Sequence, residues 1–252
     1  MSNIILGADG IAIRQGIYQE KSTKETDLGR KIDFQDGRRF RYCQADGAIT
    51  RGHMAAGGAV ATNEQTITQT AMTVALSNGY IGEKEVSVLL SAAIAANLYE
   101  DGYLTIEGGL GLGYFYGIKS HKAGGALYTT PCILTLYDKI VVALDATSVI
   151  TLTKNKYKDV IVAPATVVQS PRGVPLIDIT DNYYFWAQTR GFAPLVVDDS
   201  DTVLTGDWVM GGDTDAGAIE PMTATDSTVV PYGIVVQPGA ADTYAVIDLR
   251  LE

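Results

Sequence analysis

The chain reads as an all-β protein: an extended N-terminal arm followed by two small β-barrel or β-sandwich domains. Three observations predict this. Apolar and polar residues alternate at period two in many short runs, and in the last third turn residues recur every eight to twelve positions or so. Glycine fills 27 of 252 positions, against a usual share of about 7%. No long amphipathic helical pattern occurs anywhere.

Residues 1–60 form the arm. Their apolar residues are scattered among the turns Ala8-Asp9-Gly10, Gln35-Asp36-Gly37 and Ala45-Asp46-Gly47. Between the last two, Arg38 to Cys43 alternates as a strand, with Arg39 and Arg41 on one face and Phe40 and Tyr42 on the other. So few clustered hydrophobic residues predict an arm ordered by lying along something else. Removing residues 1–45 should therefore leave the β-domains folded.

Residues 61–172 form the central β-domain. Thr66, Thr68 and Thr70 alternate with Ile67, Gln69 and Ala71, and Met72, Val74 and Leu76 lead to a turn at Ser77-Asn78-Gly79. Val86, Val88, Leu90, Ala92 and Ile94 share one face at period two, although an alanine-rich helix fits the same stretch. Glu100-Asp101-Gly102 reads as a hairpin turn, because Asp-Gly accepts positive φ. Strands follow at Tyr103–Ile106, Tyr114–Ile118, Ile133–Tyr137 and Val149–Leu152, with one helical turn over Lys139–Leu144. The stretch from Ala163-Pro164 to Gly173-Val174-Pro175 predicts the domain boundary.

Residues 173–252 form the C-terminal β-domain. Strands are predicted at Tyr183–Gln188, Ala193–Val197, Asp207–Met210, Gly233–Val236 and Tyr244–Leu251. This last third carries the acidity. It holds two basic and thirteen acidic residues, whereas residues 1–60 hold nine basic and seven acidic; the whole chain has a formal charge of −10. Such a balance argues against sequence-independent nucleic-acid binding by the whole chain, which needs a basic face.

Motifs of catalysis fail one by one. Gly108-Gly109-Leu110-Gly111-Leu112-Gly113 lacks the dinucleotide spacing and precedes a strand, so it reads as a glycine-rich bend. Asp213, Asp215 and Glu220 lack the spacing of a calcium loop and, like Asp198-Asp199-Ser200-Asp201, read as solvated turn carboxylates. His53 and His121 have no zinc-site spacing, and His121 is expected in a polar loop. Cys132 precedes Ile133-Leu134 and is expected in the core. No catalytic residue, cofactor or metal ligand is predicted. The uncharged stretch Val86–Tyr99 is too short for a membrane helix, and the N-terminus lacks a secretory pattern.

Interaction surface remains. Arg30, Lys31, Arg38, Arg39 and Arg41 fall within twelve positions, interleaved with Phe34, Phe40 and Tyr42. Docking on an acidic protein surface, a solvated arm with local ion pairs, and nucleic-acid contact are three readings of this run; protein docking is preferred. Arg30, Lys31, Arg38, Arg39, Phe40, Arg41 and Tyr42 are the candidate partner-binding residues.

Three stretches carry a resemblance. They are Ala96–Leu104 continuing through Gly113–His121, then Leu134–Asp138, then Tyr183–Gly191 with Gly217–Pro221 and Tyr232–Val235. Over roughly residues 30 to 252 the chain resembles tailed-bacteriophage capsid decoration, or cement, proteins. The resemblance implies a non-enzymatic virion protein on the capsid surface, commonly a homotrimer, with the major capsid protein as partner; charge and hydropathy predict no nucleic-acid or membrane partner. It implies no catalytic residues. A tail-fibre or surface carbohydrate-binding module is the alternative, on the strength of Tyr183, Tyr184 and Trp208.

Overall fold

The computed structural model describes residues 5–6, 12–57, 66–69, 79–90, 93–124, 131–165, 170–223 and 229–252. The fold is all-β, built from curled antiparallel sheets, with no helix among the described residues. Among the described residues, twenty strands follow in chain order. They are β1 (Ile5–Leu6), β2 (Ala12–Ile13), β3 (Lys31–Asp33), β4 (Arg39–Gln44), β5 (Ala55–Gly57), β6 (Thr66–Gln69) and β7 (Glu85–Leu89). Next come β8 (Tyr103–Gly108), β9 (Phe115–His121), β10 (Pro131–Leu136), β11 (Val149–Thr153), β12 (Val160–Val162) and β13 (Pro171–Pro175). Last are β14 (Tyr184–Val196), β15 (Thr202–Val203), β16 (Trp208–Gly211), β17 (Ile219–Pro221), β18 (Gly233–Gln237), β19 (Gly239–Ala240) and β20 (Tyr244–Arg250).

The chain forms two compact units, residues 60–155 and residues 1–59 with 156–252. These boundaries differ from those read in the sequence. The Pro-rich stretch near residue 172 is not a junction; Pro171–Pro175 is strand β13, paired with β5 and β14. Residues 1–59 share a unit with the C-terminal region. That unit holds 14 basic and 21 acidic residues, so the basic and acidic ends of the sequence belong to one body of net charge −7.

The described residues of the 60–155 unit form a six-stranded sheet in the order β6-β11-β8-β9-β10-β7. Period-two alternation places Leu104, Ile106, Tyr116, Ile118, Leu134 and Leu136 in one core with Val86, Val88 and Leu90. The Val86 run is thus a strand. Lys139–Leu144 contains no helical turn, and only Ile140 and Leu144 of that stretch are buried. The Glu100-Asp101-Gly102 turn exists, with Asp101 at φ 59°, but it leads into β8 rather than joining paired strands. Between β8 and β9, Gly109, Gly111 and Gly113 all have positive φ, the conformation that glycine adopts without steric cost. The glycine-rich motif is a hairpin bend. The expectations for residues 70–78, and for the turn at Ala8-Asp9-Gly10, lie outside the described residues, apart from Gly79.

The larger unit centres on β14. The sequence predicts two strands here, Tyr183–Gln188 and Ala193–Val197; the structure has one strand of 13 residues. Its first half pairs with β4, Tyr184 opposite Gln44 through Arg190 opposite Arg39. Its second half pairs with β20, Arg190 opposite Arg250 through Val196 opposite Tyr244. Gly191, at φ +81°, carries the chain through the middle against Arg38. The full order is β12-β5-β13-β14-β20-β18-β16-β17, with β4 joined to β14 and β3 to β4.

Candidate interaction surface

The alternation read in β4 is present. Phe40 and Tyr42 are fully buried, while Arg39 and Arg41 lie on the other face. Tyr42 packs 4.9 Å from Trp186, donates its hydroxyl to Gln15 Oε1 at 2.8 Å and accepts from the Glu25 amide at 3.1 Å. These two aromatics are core residues.

The candidate cations hold partners within the unit. Lys31 Nζ lies 2.9 Å from Asp33, Arg39 Nε 2.6 Å from Asp33, and Arg38 Nε 2.7 Å from Asp36. Arg30 donates to Thr26 Oγ1 at 2.9 Å. Arg41 donates twice to Glu252, at 2.8 and 2.7 Å, and Tyr157 donates to the same carboxylate at 3.0 Å. Burial pushes the Glu252 carboxyl up, and these donors outweigh it, holding the carboxyl below the usual range. The arm's charge is thus spent on local pairs and on the chain's own C-terminal segment. What the structure brings together from the seven candidates is a fold contact.

One group of exposed arginine and aromatic residues lies elsewhere, on the outer face of β14, β20, β18 and β16. Inward positions of these strands, Ala193, Leu195, Ala245, Ile247, Leu249, Val235 and Val209, are buried. Outward positions carry Phe192, 60% exposed, Tyr244, 47%, and Trp208, 43%. Register sets Arg190 opposite Arg250, Phe192 opposite Asp248, Asp248 opposite Ile234, and Ile234 opposite Trp208. The row therefore runs across four strands. The Arg250 guanidinium lies 5.5 Å over the Trp208 ring and 3.2 Å from Asp248. Arg190 is exposed and has no ion pair among the described residues. A cavity of about 500 Å³ opens beside it, lined by Arg38, Gly191 and Phe192.

These are the only two basic residues after residue 172. In the sequence they stand out only as the two basic residues among thirteen acids. The signal was their place in register: both fall on outward positions of strands whose alternation was legible, but pairing of β14 with β20 was not.

The acidic loops are more ordered than solvated turns. Asp198 is fully buried, and its Oδ2 accepts from the amides of Thr214 and Asp215 at 3.1 and 3.0 Å. Its Oδ1 accepts from Ser200 Oγ at 3.2 Å. Gly212 leaves the room, since a Cβ there would overlap Asp198 Oδ2. Burial works to raise the Asp198 pKa, and these donors outweigh it, so the carboxyl sits below its ordinary value. Carboxylate oxygens of Asp198, Asp213 and Glu220 lie within 4.8 Å of one another, as do those of Asp198, Asp199 and Asp215. Such hard oxygen donors suit a divalent cation, but the amides and hydroxyl already account for the buried Asp198 carboxylate.

Glu220 shows the cost of that crowding. Burial, then the charges of Asp213, Asp201 and Asp198, push its carboxyl up to about 7 from 4.5. A carboxyl whose folded pKa lies above its unfolded one binds the proton more tightly when folded. Its contribution is fully present below the unfolded pKa and is lost as pH rises through the folded pKa. Glu220→Gln is therefore expected to stabilise the protein at pH 8 by about 1–2 kcal/mol, after discounting for solvent screening. The gain should vanish below pH about 4.5; urea denaturation across pH checks the slope.

His121 is not in a polar loop but at the end of strand β9, buried. Its Nε2 accepts from the Tyr99 amide at 2.9 Å, which leaves the proton on Nδ1, facing the Lys122 carbonyl at 2.9 Å. Cys132 Sγ lies 3.8 Å from that Nδ1. With its ring acceptor already used, the imidazole has no lone pair for the thiol, and burial pushes the Cys132 thiol up to about 11. The pair is packed core, not a nucleophile with its base.

The fold and surface together define an all-β protein with an exposed arginine–aromatic sheet face. No family model, no curated protein and no solved structure matches the chain. No helix among the described residues is long and apolar enough to cross a membrane.

Proposed function

We propose that the chain is a non-enzymatic structural protein of a virion that binds the outer surface of a phage capsid and stabilises it by multivalent clamping. The sequence resemblance to capsid decoration proteins and the all-β architecture support this reading. The observation that carries the docking step is the row Phe192, Arg190, Arg250 and Trp208 on one exposed sheet face. Exposed aromatic and arginine side chains are the residues that anchor protein interfaces, and few solvated faces carry them together. The docking role moves from the arm, whose cations are paired, to this face. Self-association as a homotrimer supplies the multivalency: several modest contacts engaged at once raise the effective concentration of the rest.

Phe192→Ala with Trp208→Ala is expected to weaken binding to purified expanded capsids by at least about tenfold while leaving thermal stability nearly unchanged, since both side chains are exposed. Co-sedimentation with capsids measures this, and electron microscopy of the particle locates the chain on shell or tail. Unaltered binding of the double variant removes this face from the mechanism.

A carbohydrate-binding module is the second reading, favoured by one observation in the 60–155 unit. Tyr103 and Phe115 stack at 4.6 Å and remain 38% and 57% exposed, a platform of the kind on which sugar rings stack. Glycan-array binding lost on Phe115→Ala would favour it over capsid clamping.

A further inference from the structure

Strand β13 slips register against β5 between Pro171 and Gly173, and Arg172 is the residue left over. Such bulges re-aim a side chain. Here the guanidinium lies across β5 at Gly57, where a Cβ would come within 2.7 Å of Nη2. Bulge and glycine together hold a half-buried cation in place. Its Nη1 donates to Ser170 Oγ at 2.7 Å, while Nε is closed to solvent and has no hydrogen-bond acceptor among the described residues.

No carboxylate among the described residues pairs with Arg172. The ionisable groups that face it are Tyr157 and Cys43, and burial pushes both upward, so both are neutral. Burial also pulls the guanidinium's own pKa down. A buried charge is costly unless it is paired. The other ionic groups around it are spoken for: Glu252 by Arg41 and Tyr157, Arg250 by Asp248. Lys156, its ammonium 4.8 Å over the Tyr157 ring, adds a second positive charge. Arg172, Lys156 and Arg250 line a cavity of about 160 Å³ together with Glu252, whose carboxylate is held by Arg41.

We propose that this cavity is a binding site for a small oxyanion, with Arg172 donating to it and Lys156 adding charge. The cavity is smaller than the 300 Å³ or more usual for organic ligands, which suits one phosphate ion or one carboxylate group. Planar, multiply donating Arg matches both. The oxyanion comes either free, as phosphate, or as the side-chain carboxylate of an acidic peptide.

The test uses the full chain labelled with ¹⁵N in its arginine side chains. Sodium phosphate is titrated at constant ionic strength against sodium chloride, and an acetylated, amidated Glu-Glu dipeptide is titrated separately. The Arg172 Nε–H resonance is expected to move saturably with one titrant or both. A response to phosphate identifies a free-ion site, and a response to the dipeptide alone identifies a carboxylate borne by a partner. Arg172→Met is expected to weaken binding by about tenfold or more, and Lys156→Met by a few-fold, read by titration calorimetry. The proposal is overturned if Arg172 shows no saturable shift with either titrant, or if Arg30 and Arg38, which do not line this cavity, shift equally with it, which marks general screening. Should the Arg172 variant fail to fold, the wild-type resonance alone decides.

Discussion

Removal of residues 1–45 is expected to unfold the unit formed by residues 1–59 and 156–252, while residues 60–155 keep their sheet. Read from sequence alone, the same deletion spares both β-domains. The structure reverses that because β4 pairs along the first half of β14 and inserts Phe40 and Tyr42 into the core around Trp186. The Trp186 indole also donates to the Gln15 carbonyl at 3.1 Å. Burying each such side chain contributes about 1.5–3 kcal/mol. With Ile32, Phe40, Tyr42 and Cys43 gone, the loss approaches the whole stability of an ordinary domain, about 5–15 kcal/mol. Both tryptophans of the chain, Trp186 and Trp208, lie in the affected unit. Tryptophan emission therefore reports that unit alone and should shift to the red; unshifted emission would show an autonomous fold without the N-terminal segment.

Asp198→Ala is expected to cost about 3 kcal/mol, because it strands the buried amides of Thr214 and Asp215 and empties a packed site. Asp198→Asn should cost less, keeping one acceptor oxygen. The folded pKa of Asp198 is depressed, so its contribution is present above the unfolded value near 3.9 and is lost as pH falls through the folded value. The gap between wild type and the alanine variant should hold from pH 8 to 5 and narrow below about 4, the opposite trend to Glu220→Gln. Urea midpoints at those pH values measure both, and a gap independent of pH would show that the carboxylate's charge is not what holds the loop.

Legibility in the sequence followed the range of the interactions. Alternation is local, so the buried faces of β4, β8, β10 and β20 were readable from Phe40, Leu104, Leu134 and Ile247 alone. Gly191 was misread for a local reason: glycine between two apolar runs suggests a break, whereas here it lets one strand bend and exchange partners. The fate of the arm was not readable, because nothing near Arg39 reveals that its neighbour is Arg190. The same holds for Asp198, whose partners lie in a loop sixteen residues away and whose burial depends on Gly212. His121 was misplaced because two flanking lysines suggested a loop, while the strand keeps its side chain inside and sends Lys119 and Lys122 outward. Charge was legible as composition only; which arginine is neutralised and which is free is decided by register.

The division of one unit between two distant stretches of chain sets an order of events during synthesis. Residues 60–155 can close their sheet as soon as they emerge. Strand β4 has to wait for β14, which begins at residue 184. At about 5–20 residues per second the wait is roughly seven to thirty seconds. Throughout it, the β4 strand offers unpaired amides and the Phe40 and Tyr42 rings to any other strand nearby. Nascent chains of this protein are thus most exposed to mispairing at their N-terminal segment, and the arginines that alternate with those rings keep neighbouring copies apart until the proper strand arrives.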